Sequence, residues 1–371
     1  MRVRAVLMLL VEDEVQYDMI SVLRQSRKPK LFVMGKRDDI VPADFVRQVH
    51  KIGMLKIAII GGGAAGMMAA ATLVEEKAPA EIHLFEKNGA LGRKVVISGG
   101  GRCNVTTGIN DKNILLSKYI RGSKFLVPAM ATFPPTKVVA WFEKHGLALK
   151  NEEDNRVFPV SNDGNDVVAV FERLFRQNNV QLHLGESVKF IKPAGSGSSS
   201  SDGSFCLETT KAQYIFDVVV VTSGGNAYRH TGSSGDGYDF ARAFGHTTTE
   251  LGPSLNSFET AEAWPKKLTG LSLPNVKLEA TVTSGIDSAD KKATFIGGFL
   301  FTHFGITGPA VFGISAHLAF TKITRATPAT VALYPAADLN FEKWDKKLCE
   351  AFESAGKSQA HNILAGILPR R

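Results

Sequence analysis

Hydrophobic positions first form a clear pattern at Leu55. The run from Lys56 to Ile60 has the composition of a buried strand, and a glycine-rich turn follows it. An alanine-rich stretch with the composition of a helix comes next, and a second apolar strand, EIHLFE, ends at Glu86. This order predicts one βαβ unit.

Apolar residues recur further along the chain with two different periods. Helical spacing predicts one helix over Thr136–His145 and another that contains Val167, Val168, Val170, Phe171, Leu174 and Phe175. Shorter apolar runs predict strands at Val180–Leu184, Val188–Ile191 and Phe205–Thr209. The run Tyr214–Thr222 is typical of one continuous strand that is buried on both faces of a parallel sheet. These elements predict an α/β, Rossmann-like domain over residues 54–254.

The chain on either side of this domain has a different pattern. Residues 1–53 contain one apolar run, Leu31–Met34, and a short helical segment after Pro42, and we predict an extension outside the main fold. From residue 255 to residue 371, short strands at Val276–Val282 and Phe295–Phe301 and a helix at Phe341–Ala355 predict a largely β domain. The segment Ala194–Ser204 is rich in serine and glycine and predicts a hairpin tip.

The first glycine-rich turn has the spacing of a dinucleotide-binding motif. Gly61, Gly63 and Gly66 form a G-x-G-x-x-G sequence directly after the predicted strand. Gly61 permits the tight turn, Gly63 allows a pyrophosphate to approach, and Gly66 allows the helix to pack on the strand. The helix then offers N–H groups to the phosphates. Glu86 ends the second strand, where its carboxylate is expected to accept bonds from the ribose 2′- and 3′-hydroxyls.

The residues after Glu86 favour FAD over a nicotinamide dinucleotide. Glu86 repels a 2′-phosphate, although Lys87 and Arg93 weaken that repulsion. A second glycine cluster with polar side chains follows at Ser98–Asn104. FAD is the longer cofactor and needs hydrogen bonds along its ribityl chain and flavin ring, so the additional loop fits it better. A glycine-rich turn that only packs is the alternative.

Composition and charge limit which other classes of protein the chain could belong to. The 371 residues carry a net charge of +8, but lysine and arginine are scattered among acids, so no nucleic-acid partner is expected. No apolar run reaches the ~20 residues of a membrane span and no leader is evident, so a cytoplasmic protein is expected. Three cysteines without a C-x-x-C pair predict no metal site. The oligomeric state is not predicted.

Three side chains are candidates for chemistry, and each has a structural alternative. Cys103 could take part in redox chemistry, but isolated cysteines usually pack as small apolar groups. His303 could donate a proton near neutral pH, but three aromatic neighbours favour a structural role. Asp236 could cap a helix that begins near Tyr238 or contact the cofactor.

Four separated motifs, ISGGGRCN after GRK, VFPVS, GSSGDGY and FTHFGITGPA, together resemble a bacterial family of NAD(P)/FAD-dependent oxidoreductases. The family includes aminoacetone-oxidase-like and bile-acid-reductase-like members. The resemblance covers the chain from about Met54 onward. It implies a two-dinucleotide-binding-domain flavoprotein fold interrupted by a β-barrel-like and helical insert. It also implies FAD contacts at Gly61, Gly63, Ala64, Ala65, Gly66, Glu86, Arg93, Lys94, Ser98, Gly100, Gly101, Arg102, Cys103, Asn104, Gly224 and Gly225. Lys87 and Val188 are further candidates for contacts with the cofactor.

The chain departs from the family pattern in three places. Thr222-Ser223 stands where the family has Ala-Thr before Gly224-Gly225, and residues 1–53 have no counterpart. Family members also continue past the LPRR region into a segment that closes the flavin pocket, whereas this chain stops at Arg371. The resemblance implies an FAD-dependent oxidoreductase that acts on a small organic substrate with NAD(P)H as a reductant. A truncated, inactive flavoprotein-like module and an FAD-dependent RNA-modifying enzyme are the alternatives.

Overall fold

The computed structural model describes residues 32–33, 54–194, 204–282, 291–335, 337, 341–354 and 360–367. The chain divides into two compact units, Met1–Thr249 and Glu250–Arg371. The segment predicted after Pro42 and most of the predicted hairpin tip lie outside the described residues. Of the strand predicted at Leu31–Met34, Phe32–Val33 is described and is a strand.

Strands and helices alternate through the first unit. Its strands are β1 Phe32–Val33, β2 Leu55–Ile60, β3 Ala80–Glu86, β4 Thr106–Thr107, β5 Leu149–Asn151, β6 Arg156–Pro159, β7 Gln181–Leu184, β8 Val188–Pro193, β9 Phe205–Thr209, β10 Gln213–Phe216 and β11 Val218–Val221. Its α-helices are α1 Ala64–Glu75, α2 Arg93–Ile97, α3 Lys112–Ser117, α4 Ser123–Thr132, α5 Pro135–Lys144, α6 Gly164–Gln177 and α7 Asp236–Ala243. Two 3₁₀ turns occur at Ser98–Gly101 and Arg229–Thr231.

The first unit is built on a five-stranded parallel sheet with the order β1-β11-β2-β3-β7. Side chains of β2 alternate between its two faces, and both faces are buried. Ile57 and Ile59 join a core with α1, α5 and α6, whereas Ala58 and Ile60 join a second core on the opposite face. The predicted α/β, Rossmann-like fold is confirmed, together with the βαβ unit β2-α1-β3.

The second face of this sheet is covered by a three-stranded antiparallel sheet, β10-β9-β8. Phe205, Leu207 and Phe216 of that sheet pack in one cluster with Phe85 of β3 and Phe240 of α7. The parallel sheet therefore lies between a layer of helices and a layer of antiparallel strands. A further small sheet, β4-β6-β5, lies near the loop that follows α2.

The prediction of one continuous strand at Tyr214–Thr222 is wrong. The run divides at Asp217 into β10, which pairs with β9, and β11, which joins the parallel sheet. Asp217 donates its N–H to the Lys56 carbonyl and accepts the Lys56 N–H on its carboxylate, each at 2.9 Å. This pair fixes the point at which the chain leaves one sheet and enters the other. Hydrophobicity alone does not reveal the change, because both strands are apolar.

The second unit contains a five-stranded antiparallel sheet with the order β12-β15-β14-β13-β16. Its strands are β12 Phe258–Glu259, β13 Ser272–Val282, β14 Lys291–Phe301, β15 Gly305–Thr307 and β16 Thr330–Tyr334. Its helices are α8 Trp264–Lys267, α9 Pro309–His317, α10 Phe341–Ser354 and α11 Ala360–Ile367. Val311 and Ile314 of α9 pack in one apolar cluster with Val276 and Leu278 of β13. The strands and the helix predicted here are confirmed, and both strands are longer than predicted.

Candidate dinucleotide site

The chain turns sharply between β2 and α1, and close neighbours require glycine at two positions. Gly61 has a φ of +111°, and a Cβ there would lie 2.5 Å from the Thr222 carbonyl oxygen. A Cβ on Gly66 would overlap the Gly61 carbonyl oxygen. These contacts produce the tight turn and the close helix–strand packing that the glycine spacing predicts.

Gly63 lies between these two glycines and, unlike them, has open space where a side chain would lie. It is the N-cap residue of α1, and a Cβ there would have no atom within 4 Å. The first helical bond joins the Met67 N–H to the Gly63 carbonyl at 2.9 Å. In the described part of the chain no side chain caps α1, and its first turn holds no acidic residue. The N–H groups of Ala64, Ala65 and Gly66 and the positive end of the helix dipole can therefore bind an anion.

Glu86 is buried at the end of β3, with 9% of its surface exposed. Its Oε2 accepts the Gly62 N–H at 2.8 Å, so the carboxylate is bound directly to the β2–α1 turn. Its Oε1 accepts the Asn88 N–H at 2.8 Å and the Asn88 side-chain amide at 2.6 Å. The acidic side chain is thus held beside the start of α1, where a ribose adjoining a bound diphosphate would lie.

The cations that follow Glu86 bind protein groups in the structure. Lys87 donates to Asp236 at 3.0 Å and to the Ser234 hydroxyl at 2.5 Å. Arg93 donates to the Asn88 side-chain oxygen at 3.2 Å. Lys94 donates to the Ala227 carbonyl at 2.8 Å. The bonds of Lys87 and Lys94 connect the segment after β3 to the chain between β11 and the start of α7, whereas the Arg93 bond lies within that segment.

The second glycine-rich loop is a compact turn with an unusual backbone. Gly99, Gly100 and Gly101 have φ values of +58°, +72° and +91°, and Cys103 has a φ of +59°. A Cβ on Gly99 would lie 2.7 Å from the Phe158 ring, whereas nothing lies within 4 Å of a Cβ on Gly100 or Gly101. Successive turn-like N–H groups of this kind form concave surfaces that bind anions and polar ligand atoms.

The polar residues of this loop divide into internal and exposed groups. The Cys103 side chain is buried in the helix-side core, and burial raises the pKa of its thiol above 9.0, while a hydrogen bond with Ser98 acts in the opposite direction. The thiol is therefore protonated at neutral pH, which favours packing over redox chemistry. Arg102 pairs with Glu152 at 2.7 Å and lies 3.8 Å from the centre of the Phe158 ring. Asn104 is exposed.

The end of β11 lies beside the first glycine turn. The Thr222 hydroxyl donates to the carbonyls of Ile60 and Gly61, each at 3.0 Å. Gly224 has a φ of +74°, and a Cβ there would overlap the Ser233 hydroxyl. The Ser223 hydroxyl is buried and has no hydrogen-bond partner among the described residues. An unpaired buried hydroxyl at this position fits a polar group of a bound ligand.

The remaining candidates lie in different surroundings. Val188 begins β8 and is buried. Two residues before it, Glu186 donates its N–H to the Glu86 carbonyl at 3.0 Å. Asp236 is the first residue of α7 rather than its cap, since Gly235 occupies the cap position. His303 is exposed in the turn between β14 and β15 of the second unit, with its ring against Phe304.

Comparison with known proteins identifies the fold family. Residues 55–332, more than half of the chain, match the sequence profile of the HI0933-like protein Rossmann domain. The chain belongs to the HI0933-like family. It is therefore a member of a flavoprotein oxidoreductase family with a Rossmann nucleotide-binding fold, as the resemblance in the sequence predicts.

Two curated relatives show how much of the length of a related protein this HI0933-like chain matches. A 3-dehydro-bile acid delta(4,6)-reductase from Clostridium scindens is 27% identical over 266 residues, which are 72% of this chain and 61% of that protein. A ribosomal RNA dihydrouridine synthase from Haemophilus influenzae is 25% identical over 314 residues, which are 84% of this chain and 71% of that protein. The match thus spans between 61% and 71% of the length of these relatives.

Solved structures and membrane topology add two further observations. A quinol fumarate reductase chain from E. coli matches 60% of this HI0933-like chain and 43% of its own length, with 16% identity and a TM-score of 0.41. None of the described helices is long and apolar enough to cross a bilayer.

Three residues of this site are absent from the sequence-based set. Gly62 donates its N–H to Glu86, Asn88 holds the same carboxylate, and Thr222 bonds the first glycine turn. Asn88 has a local signal, because it lies only two residues after Glu86 and bonds back to that carboxylate. Gly62 and Thr222 act through partners distant in the sequence, which the spacing of the motif does not reveal.

Proposed function

We propose that this HI0933-like protein is an FAD-dependent reductase. The observation that carries the proposal is the uncapped start of α1 at the open residue Gly63, with the Glu86 carboxylate held beside it. Amide groups and a helix dipole at that position suit a diphosphate, and the carboxylate suits a ribose hydroxyl. The Ser98–Asn104 loop supports FAD over a shorter dinucleotide, because Gly100 and Gly101 leave a second open backbone surface. When bound, FAD supplies hydride transfer.

The names of the two relatives support one class of substrate. A 3-dehydro-bile acid delta(4,6)-reductase acts on double bonds conjugated with an oxo group, and a dihydrouridine synthase forms a uridine with a saturated ring bond beside a carbonyl. Both reactions add a hydride and a proton across a C=C bond conjugated with a carbonyl. We infer that the substrate of this chain carries such a bond, and that NAD(P)H supplies the electron pair.

An anaerobic assay with two steps tests this proposal. Protein loaded with FAD is first mixed with NADH or NADPH, and loss of the oxidised-flavin absorbance is expected. A steroid enone is then added, and the absorbance is expected to return while the product gains two hydrogens by mass spectrometry. A saturated ketone of similar shape is the control and should leave the reduced flavin unchanged. Reduced flavin that no conjugated carbonyl compound reoxidises would contradict the substrate class.

An RNA substrate is the second candidate. Two relatives named as ribosomal RNA dihydrouridine synthases match 84% of this chain, and the chain carries a net charge of +8. Binding to ribosomal RNA should then be strong at low salt and weaken steeply as salt rises. Dihydrouridine in RNA treated with the reduced protein would support this candidate, and absence of RNA binding at low salt would exclude it.

A further inference from the structure

The Glu86 carboxylate is largely occupied by protein donors. Its Oε1 accepts two N–H groups of Asn88, at 2.8 Å from the backbone and 2.6 Å from the side chain. Its Oε2 accepts the Gly62 N–H at 2.8 Å. A carboxylate offers about four lone-pair positions, so about one position remains, at Oε2. This arrangement leaves an acceptor for one ribose hydroxyl rather than for two.

Asn88 also joins Glu86 to a distant loop. Its side-chain amide donates to the Thr231 carbonyl at 3.1 Å, while its side-chain oxygen accepts from Arg93. The neighbouring Gly232 has a φ of +96°, and a Cβ there would lie 2.5 Å from the Asn88 amide nitrogen. The glycine therefore makes room for the asparagine, and the Asn88 side chain uses both of its polar atoms.

A second bond between the same two segments supports this arrangement. Lys87 reaches Asp236 and Ser234, so adjacent residues after β3 are bound to adjacent parts of the 231–236 segment. Lys87 and Arg93 are thereby directed to protein acceptors. The edge beside Glu86 is thus fixed by hydrogen bonds that do not involve a ligand.

We propose that Asn88 is a positioning residue for the adenosine ribose of the cofactor. By occupying Oε1, Asn88 orients Glu86 so that Oε2 receives a single ribose hydroxyl, and by bonding Thr231 it fixes the 231–236 segment at the same edge. The inference rests on the proposed FAD site. It adds Asn88 to that site, together with the number of ribose hydroxyls that Glu86 can accept. Asn88 acts through Glu86, so its contribution to affinity should depend on that carboxylate.

A double-mutant cycle with FAD as the probe tests this dependence. FAD is titrated into wild-type, N88A, E86A and N88A/E86A apoprotein, and the quenching of flavin fluorescence is measured. We expect N88A to bind FAD roughly tenfold more weakly, as for loss of one hydrogen bond to a charged group. In the E86A background the same substitution should change affinity by less than about twofold.

Outcomes of the cycle separate the inference from the proposed function. Wild-type protein that binds FAD while N88A binds it equally well would overturn the inference and leave the proposed function intact. An equal loss from N88A in both backgrounds would also overturn it, because a merely structural role does not depend on Glu86. Wild-type protein that binds no FAD would overturn both.

Gly232 provides a second variant that retains Asn88. In G232A the new Cβ meets the Asn88 amide, whereas in G245A the φ is also positive, at +81°, and nothing lies within 4 Å. The two variants thus share backbone strain and differ in contacts, because the Cβ in G232A meets the Asn88 amide and also lies 3.2 Å from the Lys87 side chain. FAD affinity should fall severalfold more in G232A than in G245A, with thermal unfolding and circular dichroism confirming that both fold. Equal affinities would overturn the inference.

Discussion

The two glycine-rich loops of the first unit use glycine for different physical reasons. In the β2–α1 turn, Gly61 and Gly66 are required because a side chain would meet backbone atoms. In the Ser98–Asn104 loop, Gly100 and Gly101 adopt positive φ values with no atom within 4 Å of a Cβ. At Gly61 and Gly66 glycine is thus required by packing, whereas at Gly100 and Gly101 it is favoured by backbone conformation alone. Each loop also presents open backbone, at Gly63 in the first and at Gly100 and Gly101 in the second.

This difference separates glycines that maintain the fold from glycines that are available to a ligand. A substitution at a packed glycine should lower stability whether or not a cofactor is present. A substitution at an open glycine should chiefly alter ligand binding, with the cost of any positive φ added. Stability and FAD affinity measured on the same variants can therefore test the assignment of each position.

The largest effect is expected at Gly66. In G66A the new Cβ overlaps the Gly61 carbonyl oxygen, and we expect the free energy of unfolding to fall by about 3 kcal/mol despite the better helix propensity of alanine. Chemical denaturation of the apoprotein measures this loss. G63A is the matched control in the same turn and should lose no more than about 1 kcal/mol, because alanine is a weaker N-cap than glycine but meets no atom there. Equal stabilities of the two variants would contradict the distinction between packed and open glycines.

A smaller effect is expected within the second loop. G99A combines a positive φ with a Cβ 2.7 Å from the Phe158 ring and 2.8 Å from the Asn104 nitrogen, so a loss of about 2 kcal/mol is expected. G100A has the positive φ alone and should lose about 1 kcal/mol. Denaturant unfolding of both variants measures the difference. A larger loss of stability in G100A than in G99A would show that the space around Gly100 is not open.

Sequence patterns predicted the first loop better than the second. The turn after β2 follows from glycine spacing between a strand and a helix, which is a local feature. The contacts that hold the second loop involve Phe158 and Gly164, and both lie more than fifty residues away. The pattern therefore indicated a glycine cluster with polar neighbours but could not reveal its positive φ values or the burial of Cys103.

The division of the Tyr214–Thr222 run shows a similar limit. The run is apolar throughout except for Asp217, and the structure uses that residue to move the chain from β10 to β11. Asn88 is a further example, since its bond to the Thr231 carbonyl spans most of the domain sequence. Helices and strands were predicted where a local periodicity indicates them. Hydrogen-bond partners that come from distant segments of the sequence were not predicted.

The smallest expected effect concerns Cys103 and high pH. Burial raises the pKa of this thiol in the folded state above 9.0, so the folded protein holds the proton more tightly than the unfolded chain. The associated stability is fully present below pH 9.0 and is lost as the pH rises through the folded-state pKa. The melting temperature of wild type should therefore fall with rising pH above that point more steeply than the melting temperature of C103A. Parallel curves would contradict the buried, protonated thiol.

A chemical probe can sharpen the same point. Cys349 is exposed, so a thiol-alkylating reagent at neutral pH should modify it well before Cys103. Mass spectrometry of peptides from the folded protein measures both sites. Rapid modification of Cys103 would show that the second loop is less packed than the structure indicates.

The most direct test of the central claim is FAD binding to wild-type and G63V protein. Gly63 has extended backbone angles and open space around a Cβ, so valine should cost the apoprotein only about 1 kcal/mol, as a weaker N-cap than glycine, while obstructing the N–H groups at the start of α1. We expect saturating FAD to raise the melting temperature of wild type and to have little effect on G63V. A wild-type protein that does not respond to FAD, or a G63V protein that responds equally, would contradict the claim that these amides bind the diphosphate.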